Sequence, residues 1–136
     1  MKTFEYGIKQ LGLLCEHITS LEYKIILLKG DLASGKTTLT KSFVSYLKLK
    51  DIVSSPTFSI LNIYSDQVYH YDIYQDGYEK FLELGLIENL DNGKYHIIEW
   101  ADESLENLLN QFGFKYIKIE ISPSIENKRK YSVSHN

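Results

Sequence analysis

The chain has 136 residues, enough for one domain and too few for a second. Apolar residues make up 43% and charged residues 24%, the balance of an ordinary soluble globular domain. Lys plus Arg is 15 against 18 Asp plus Glu, a net charge of −3, which excludes a basic surplus able to neutralise a phosphate backbone; any nucleic acid is expected to be held mainly by a partner.

Ile8, Leu11, Cys15 and Ile18 recur at spacings of three and four, which predicts a helix with one face on a core. KIILLKG, Lys24 to Gly30, is a continuous apolar run ending in glycine and predicts a strand buried on both faces, as in a parallel sheet. After a glycine-containing turn, Leu39, Phe43, Val44 and Leu47 mark a second helix. Residues 58–64 and 68–74 are rich in β-branched and aromatic types around Ser65-Asp66-Gln67, which predicts a hairpin. Tyr78 to Leu90 reads as a helix stopped by Asp91-Asn92-Gly93. Tyr95 to Trp100 reads as another buried strand, and Asp102 as the cap of a helix carrying Leu105, Leu108 and Leu109. Ile117, Ile119 and Ile121 alternate with Lys118 and Glu120, a half-buried strand, and Tyr131 and Val133 suggest a last one after the Ser122-Pro123-Ser124 turn. Strands alternating with helices, plus an antiparallel hairpin, predict one three-layer α/β domain over residues 1–136, with a mixed, mainly parallel central sheet.

The single cysteine, Cys15, excludes a disulfide framework and a cysteine-built zinc site; on the first helix it reads as a small buried apolar residue. No apolar run approaches the ~20 residues of a membrane span. MKTFEYG carries no apolar signal segment, so a cytoplasmic protein without membrane contact is expected. His17, His70, His96 and His135 show no metal-ligand spacing and read as structural or surface groups. Tyr64, Tyr69, Tyr71 and Tyr74 gather on the hairpin, where alternating aromatics fit a core better than an interface.

The chemistry concentrates in GDLASGKTT, Gly30 to Thr38, which matches G-x-x-x-x-G-K-[ST]. Consecutive backbone N–H groups can wrap the anionic oxygens of a nucleotide's phosphates only if the loop curls into a nest, and Gly30 and Gly35 supply the freedom to curl. Between them lie Asp31, Leu32, Ala33 and Ser34. The following helix, expected to start near Lys36, aims its N–H groups and the positive end of its dipole at the same phosphates. Lys36 adds a mobile cation, the Thr37 hydroxyl suits Mg²⁺, and Thr38 completes the cradle. The match follows a buried strand and opens a helix, the context in which a P-loop operates. Such a site also needs an acid near Mg²⁺, usually at a strand end. Glu99 ends His96-Ile97-Ile98, and Asp72 lies on the second hairpin strand within HYDIY. Either acid can instead be a solvated carboxylate, and Asp72, alternating with Ile73, can simply face solvent.

With GDLASGKTT, SSPTFSILNIY, YHYDIYQ and HIIEWAD in this order and spacing, and FLELGLIENL between them, residues 5–133 resemble the TsaE family (formerly YjeE). These are small bacterial P-loop ATPases of tRNA threonylcarbamoyladenosine biosynthesis. The resemblance implies the P-loop NTPase fold, Mg²⁺ with ATP or ADP as cofactor, and tRNA reached through two partners, the threonylcarbamoyl transferase TsaD and its companion TsaB. It implies that Gly30 to Thr38 bind the phosphates, that Thr37 ligates Mg²⁺ and that Glu99 completes the metal shell. It makes Asp72 a second essential acid, acting as base, water-positioner or metal ligand, and places Thr57 in a switch-like loop. Lys36, Asp72, Glu99 and Thr57 are the implied catalytic set. Trp100 is implied close to the nucleotide, Arg129 beside the adenosine, and Thr3 to Glu5 flanking the adenine. Three departures from the family pattern involve four positions: Ala33 and Ser34 replace Gly-Ala, Gln75 stands where an arginine is common, and Ala101 replaces a frequent proline.

Hydrolysis builds negative charge that Lys36, Mg²⁺ and the loop amides face. An arginine finger, worth ~10³–10⁵ in rate where it operates, has one candidate, since the chain holds 14 Lys and only Arg129. Slow hydrolysis by the isolated chain is therefore expected. The Ser54-Ser55-Pro56-Thr57 segment reads equally as a nucleotide-ordered switch and as a rigid turn. Two rival functions use the same cradle. A small-molecule kinase is poorly supplied with arginines here, and a nucleotide-gated binding module would bind without turnover.

Overall fold

The computed structural model describes residues 1–31, 35–54, 60–74 and 77–136. Among these residues seven strands form one sheet: β1 (Lys2–Tyr6), β2 (Ile25–Lys29), β3 (Leu61–Tyr64), β4 (Val68–Asp72), β5 (Tyr95–Glu99), β6 (Tyr116–Pro123) and β7 (Arg129–His135). Four α-helices accompany them: α1 (Leu11–Ser20), α2 (Lys36–Tyr46), α3 (Gly77–Glu83) and α4 (Glu103–Gln111). The sheet order is β1-β7-β6-β2-β5-β4-β3. Its centre is parallel, with β2 between β5 and β6 and β4 parallel to β5; the flanks, β3 on β4 and β7 and β1 beyond β6, are antiparallel. The expected three-layer α/β class with a mixed sheet, parallel at its centre, is the one observed.

The strand period of two splits the core into two layers. From β2, Ile26 and Leu28 join α1 and α2 on one face, together with Ile97 of β5 and Ile117, Ile119 and Ile121 of β6. Ile25 and Leu27 point the other way, packing with Ile98, Tyr71, Phe81 and the α4 residues Leu105 and Leu109. A central strand that must feed both layers has no polar face, which is why Ile25-Ile26-Leu27-Leu28 is apolar throughout. Asp102 caps α4 as expected, its side chain accepting from the Leu105 N–H at 3.0 Å. In the β3–β4 turn, Ser65 and Asp66 have φ of 50° and 53°. Two successive left-handed residues give the type I′ twist that matches a right-handed strand pair.

Four details differ from the sequence expectations. Ile8 is not on the first helix face: Ile8–Gln10 form a 3₁₀ turn, Ile8 is exposed, and Leu14 takes its place with Leu11, Cys15 and Ile18. The helix expected over 78–90 is broken at Gly85, whose φ of 65° reverses the chain before a 3₁₀ segment, Leu86–Asp91. Strand β1 is an addition, paired with β7 from Lys2↔Val133 to Tyr6↔Arg129. Trp100, expected to end a strand, instead turns the chain after β5 with φ 65°. Among the described residues no helix is long and apolar enough to cross a membrane.

Candidate functional site

The parallel centre of the sheet gathers three chain segments at one edge. β2 runs into Gly30, and the registers Leu28↔Glu99 and Asp72↔Glu99 bring the ends of β5 and β4 to the same level. Ligands of open α/β sheets bind outside the carboxyl ends of the strands, and this is that edge. The antiparallel flank reaches it too. Pairing of Pro123 with Arg129, and of Tyr6 with Arg129, puts the end of β1 and the start of β7 there.

Gly35 precedes α2 with φ 103°, a region that side chains rarely enter, and a Cβ at this position would stand 3.2 Å from Arg129 Nε. The backbone angle favours glycine, and a Cβ there would also press on the Arg129 side chain. Leu39 N–H donates to Gly35 O at 2.9 Å, so the amides of Lys36, Thr37 and Thr38 precede the first intrahelical bond of α2 and lie at the positive end of its dipole. Thr40 Oγ1 donates back to Lys36 O at 3.0 Å, fastening this first turn.

Among the described residues the buried polar side chains are Lys36, Thr40, His70, His96 and Glu99, and three of the five meet at this edge. Lysine and glutamate are rarely buried unless paired. The Lys36 ammonium donates to Gly30 O at 2.7 Å and to Asp31 O at 2.9 Å, and lies 4.1 Å from the centre of the Trp100 ring. Burial lowers the Lys36 pKa from the usual lysine value, while the charges of Glu99, Asp72 and Asp31 oppose that shift. An ammonium under an aromatic face is worth of order 1 kcal/mol or more when desolvated. The Trp100 backbone, unusual for a bulky residue, turns the indole over Lys36 and against Tyr74, whose ring centre is 4.7 Å away.

Glu99, 3% exposed at the end of β5, accepts from His70 Nε2. His70 Nδ1 contacts the Tyr64 hydroxyl at 2.9 Å, and that hydroxyl donates to Ser54 O at 3.1 Å. Asp72 is half-buried, its Oδ1 accepting from Tyr74 N–H at 3.0 Å. Its charge, like that of Glu99, acts on Lys36, so neither acid stands apart from the cradle. Thr37 is half-buried on the first turn of α2. Arg129 lies against Gly35 and helps line a cavity of about 270 Å³ with Thr38, Tyr6, Ile8, Glu126, Asn127 and Tyr131. Thr3 to Glu5, expected to flank a base, lie within β1, and the chain lines this cavity with Tyr6 and Ile8 instead.

Leu32, Ala33, Ser34, Thr57 and Gln75 lie outside the described residues. Of the remaining candidates, Gly30, Asp31, Gly35, Lys36, Thr37, Thr38, Asp72, Glu99, Trp100 and Arg129 all fall at this one edge. His70, whose spacing in the sequence marks only a structural or surface group, contacts the buried acid, and Tyr64 reaches that acid through His70. The signal available was the i, i+2 spacing of His70 and Asp72 in HYD, which puts both on β4 but does not reveal what His70 faces.

Among the described residues no three His, Cys, Asp or Glu side chains form a metal cage. The donors at the edge are a hydroxyl and carboxylates, hard oxygen ligands of the kind that hold Mg²⁺ through one or two protein groups plus phosphate and water. The set therefore fits that ion.

Fold and site together define an α/β protein in which a central strand ending at Gly30 and a helix preceded by Gly35 meet at one sheet edge beside a buried carboxylate. A family model described as "Threonylcarbamoyl adenosine biosynthesis protein TsaE" matches residues 5–131, and the chain belongs to this family. A tRNA threonylcarbamoyladenosine biosynthesis protein TsaE from Rickettsia prowazekii is 36% identical over 114 residues, covering 80% of this chain and 76% of the relative. The protein of the same name from Bacillus subtilis is 42% identical over 80 residues, which is 57% of this chain and only half (50%) of the relative's length. The crystal structure of Bacillus subtilis YdiB superposes with a TM-score of 0.70 at 25% identity, covering 97% of this chain and 84% of that one. The family places the protein in tRNA threonylcarbamoyladenosine biosynthesis.

Proposed function

We propose that the protein is a Mg²⁺-dependent ATPase that acts on a TsaD-like transferase and its TsaB-like companion to permit repeated rounds of tRNA threonylcarbamoylation. The observation that carries this reading is the Lys36 ammonium, held by two loop carbonyls at the start of α2 within the fields of Glu99 and Asp72. A cation and helix amides converging on one point suit the β- and γ-phosphates of a nucleotide.

In this reading Gly30, Asp31, Gly35, Lys36, Thr37 and Thr38, with Leu32, Ala33 and Ser34, form the phosphate cradle. Arriving phosphate oxygens take over the Lys36 hydrogen bonds now made to Gly30 and Asp31 carbonyls. Thr37, Glu99 and Asp72 hold Mg²⁺, which, when bound, supplies neutralising charge for the leaving phosphate oxygens. Asp72, on the strand beside Glu99, orients the attacking water, and Thr57 contributes a hydroxyl. The cavity between Arg129, Tyr6 and Ile8 receives the nucleoside, and Trp100 covers Lys36. Arg129 is occupied there, so the transition-state charge lacks a guanidinium from this chain, and the isolated protein turns over slowly. The transferase complex carries the tRNA, a division of labour that suits a chain with a formal net charge of −3.

Reconstituted tRNA threonylcarbamoylation tests this directly. Product formation over many cycles is expected to require this protein and to fail with Lys36→Ala or Glu99→Ala. Unchanged multi-cycle product in its absence would remove the assigned role.

A further inference from the structure

We propose that His70 and Tyr64 are positioning residues for Glu99: a chain of contacts from the Ser54 carbonyl through the buried Tyr64 and His70 side chains fixes the carboxylate in its metal-binding orientation. This rests on the reading of Glu99 as a Mg²⁺ ligand. His70 and Glu99 lie on adjacent parallel strands, His70 level with Ile97, two residues short of Glu99. The imidazole is fully buried, Tyr64 is 4% exposed, and no buried side-chain polar atom among the described residues is left unpartnered.

The geometry assigns each atom one task. Glu99 Oε2 needs a donor and finds it in His70 Nε2. The ring can present Nε2 only in one rotation, and Tyr64 fixes that rotation by holding Nδ1 at 2.9 Å. Tyr64 is itself tied to Ser54 O at 3.1 Å, a carbonyl that Asn62 Nδ2 also meets at 3.3 Å. With Oε2 committed, the carboxylate plane is set and Oε1 has a defined direction. Replacing a buried charged pair by apolar packing is often neutral or stabilising, so stability alone gives no reason for a carboxylate–imidazole pair here. Polar partners of this kind orient metal ligands in proteins generally, and their loss typically weakens metal affinity 10–100-fold.

The test uses the full-length protein, calorimetry of ADP binding in EDTA, and titration of Mg²⁺ into the protein–ADP mixture. His70→Leu removes the donor and is expected to weaken Mg²⁺ binding 10–100-fold while ADP affinity in EDTA stays within about twofold. His70→Gln, which returns an N–H near the Nε2 position, is expected to recover most of the Mg²⁺ affinity. Tyr64→Phe is expected to lose Mg²⁺ affinity in the same direction by a smaller factor, and it decides the matter if His70→Leu does not fold. Unchanged Mg²⁺ affinity in the soluble variants, with only a lower melting temperature, overturns the positioning role and leaves the nucleotide reading standing. Wild-type protein whose ADP binding ignores Mg²⁺ overturns both.

Discussion

At the scale of single residues, the site depends on groups that tolerate little change. Lys36 is the cation on which the cradle converges, and a hydrogen bond to a charged group contributes about 1.5–3 kcal/mol. Lys36→Ala is therefore expected to weaken ATP and ADP binding by roughly ten- to a hundredfold, read by calorimetry, while the melting temperature changes little. Equal affinities in variant and wild type would detach Lys36 from nucleotide binding. Gly35→Ala meets both a φ of 103° and the Arg129 side chain 3.2 Å from the new Cβ. A left-handed conformation alone costs an L-residue roughly 1–2 kcal/mol; a loss of at least that size in urea unfolding is expected, and no loss would show that the loop relaxes freely. Lys36, Thr37 and Gly35 were legible in the sequence because the motif fixes their spacing within one turn of chain. The His70–Glu99 contact was not: its partners are 29 residues apart, and only strand pairing makes them neighbours.

At the scale of elements, the parallel β4–β5 pair carries a second buried network with a different consequence. His96 Nδ1 contacts the Tyr71 hydroxyl at 2.8 Å and Nε2 contacts Asn92 Oδ1 at 2.9 Å. Desolvation lowers the His96 pKa from 6.5 to about 4. The folded state then binds fewer protons than the unfolded state between these values. His96 accordingly imposes no cost above pH 6.5 and erodes stability as pH falls towards about 4, with a slope approaching 1.4 kcal/mol per unit. Urea midpoints recorded from pH 7 to pH 4 are expected to fall, and His96→Gln to flatten the part of that slope due to this ring. An identical slope in the variant would place the acid sensitivity elsewhere. On α4, Leu105 is fully buried, so Leu105→Ala is expected to cost about 2–5 kcal/mol by denaturant unfolding without altering the cradle directly. Central strands and the capped α4 were readable because burial on two faces, or a cap followed by spaced leucines, leaves a strong pattern. β1 was not, since KTFEY has no fully buried position and no clean alternation. The break at Gly85 was also missed: a lone glycine inside a helical pattern costs only ~1 kcal/mol, and it becomes a stop only where tertiary packing turns the next segment away.

At the scale of the whole molecule, the sheet order brings chain segments that are distant in sequence to one edge, and the proposed chemistry follows from that convergence. With Arg129 the only arginine and already packed against Gly35, useful turnover is expected only with the transferase complex present. Phosphate release should rise by orders of magnitude on adding those partners; a fast partner-independent rate would contradict this. The family and the three-layer class were both legible from four motif blocks, whereas the antiparallel β6-β7-β1 flank, which carries Arg129 and Tyr6 to the site, emerged only from strand register. Everything proposed for the chain's activity depends on a nucleotide seating at the start of α2. The most direct measurement is calorimetric titration of well-folded protein with Mg·ADP and Mg·ATP: saturable one-to-one binding, weakened at least tenfold in Lys36→Ala, is the predicted result, and no heat with either nucleotide, alone or with the partner proteins, would contradict it.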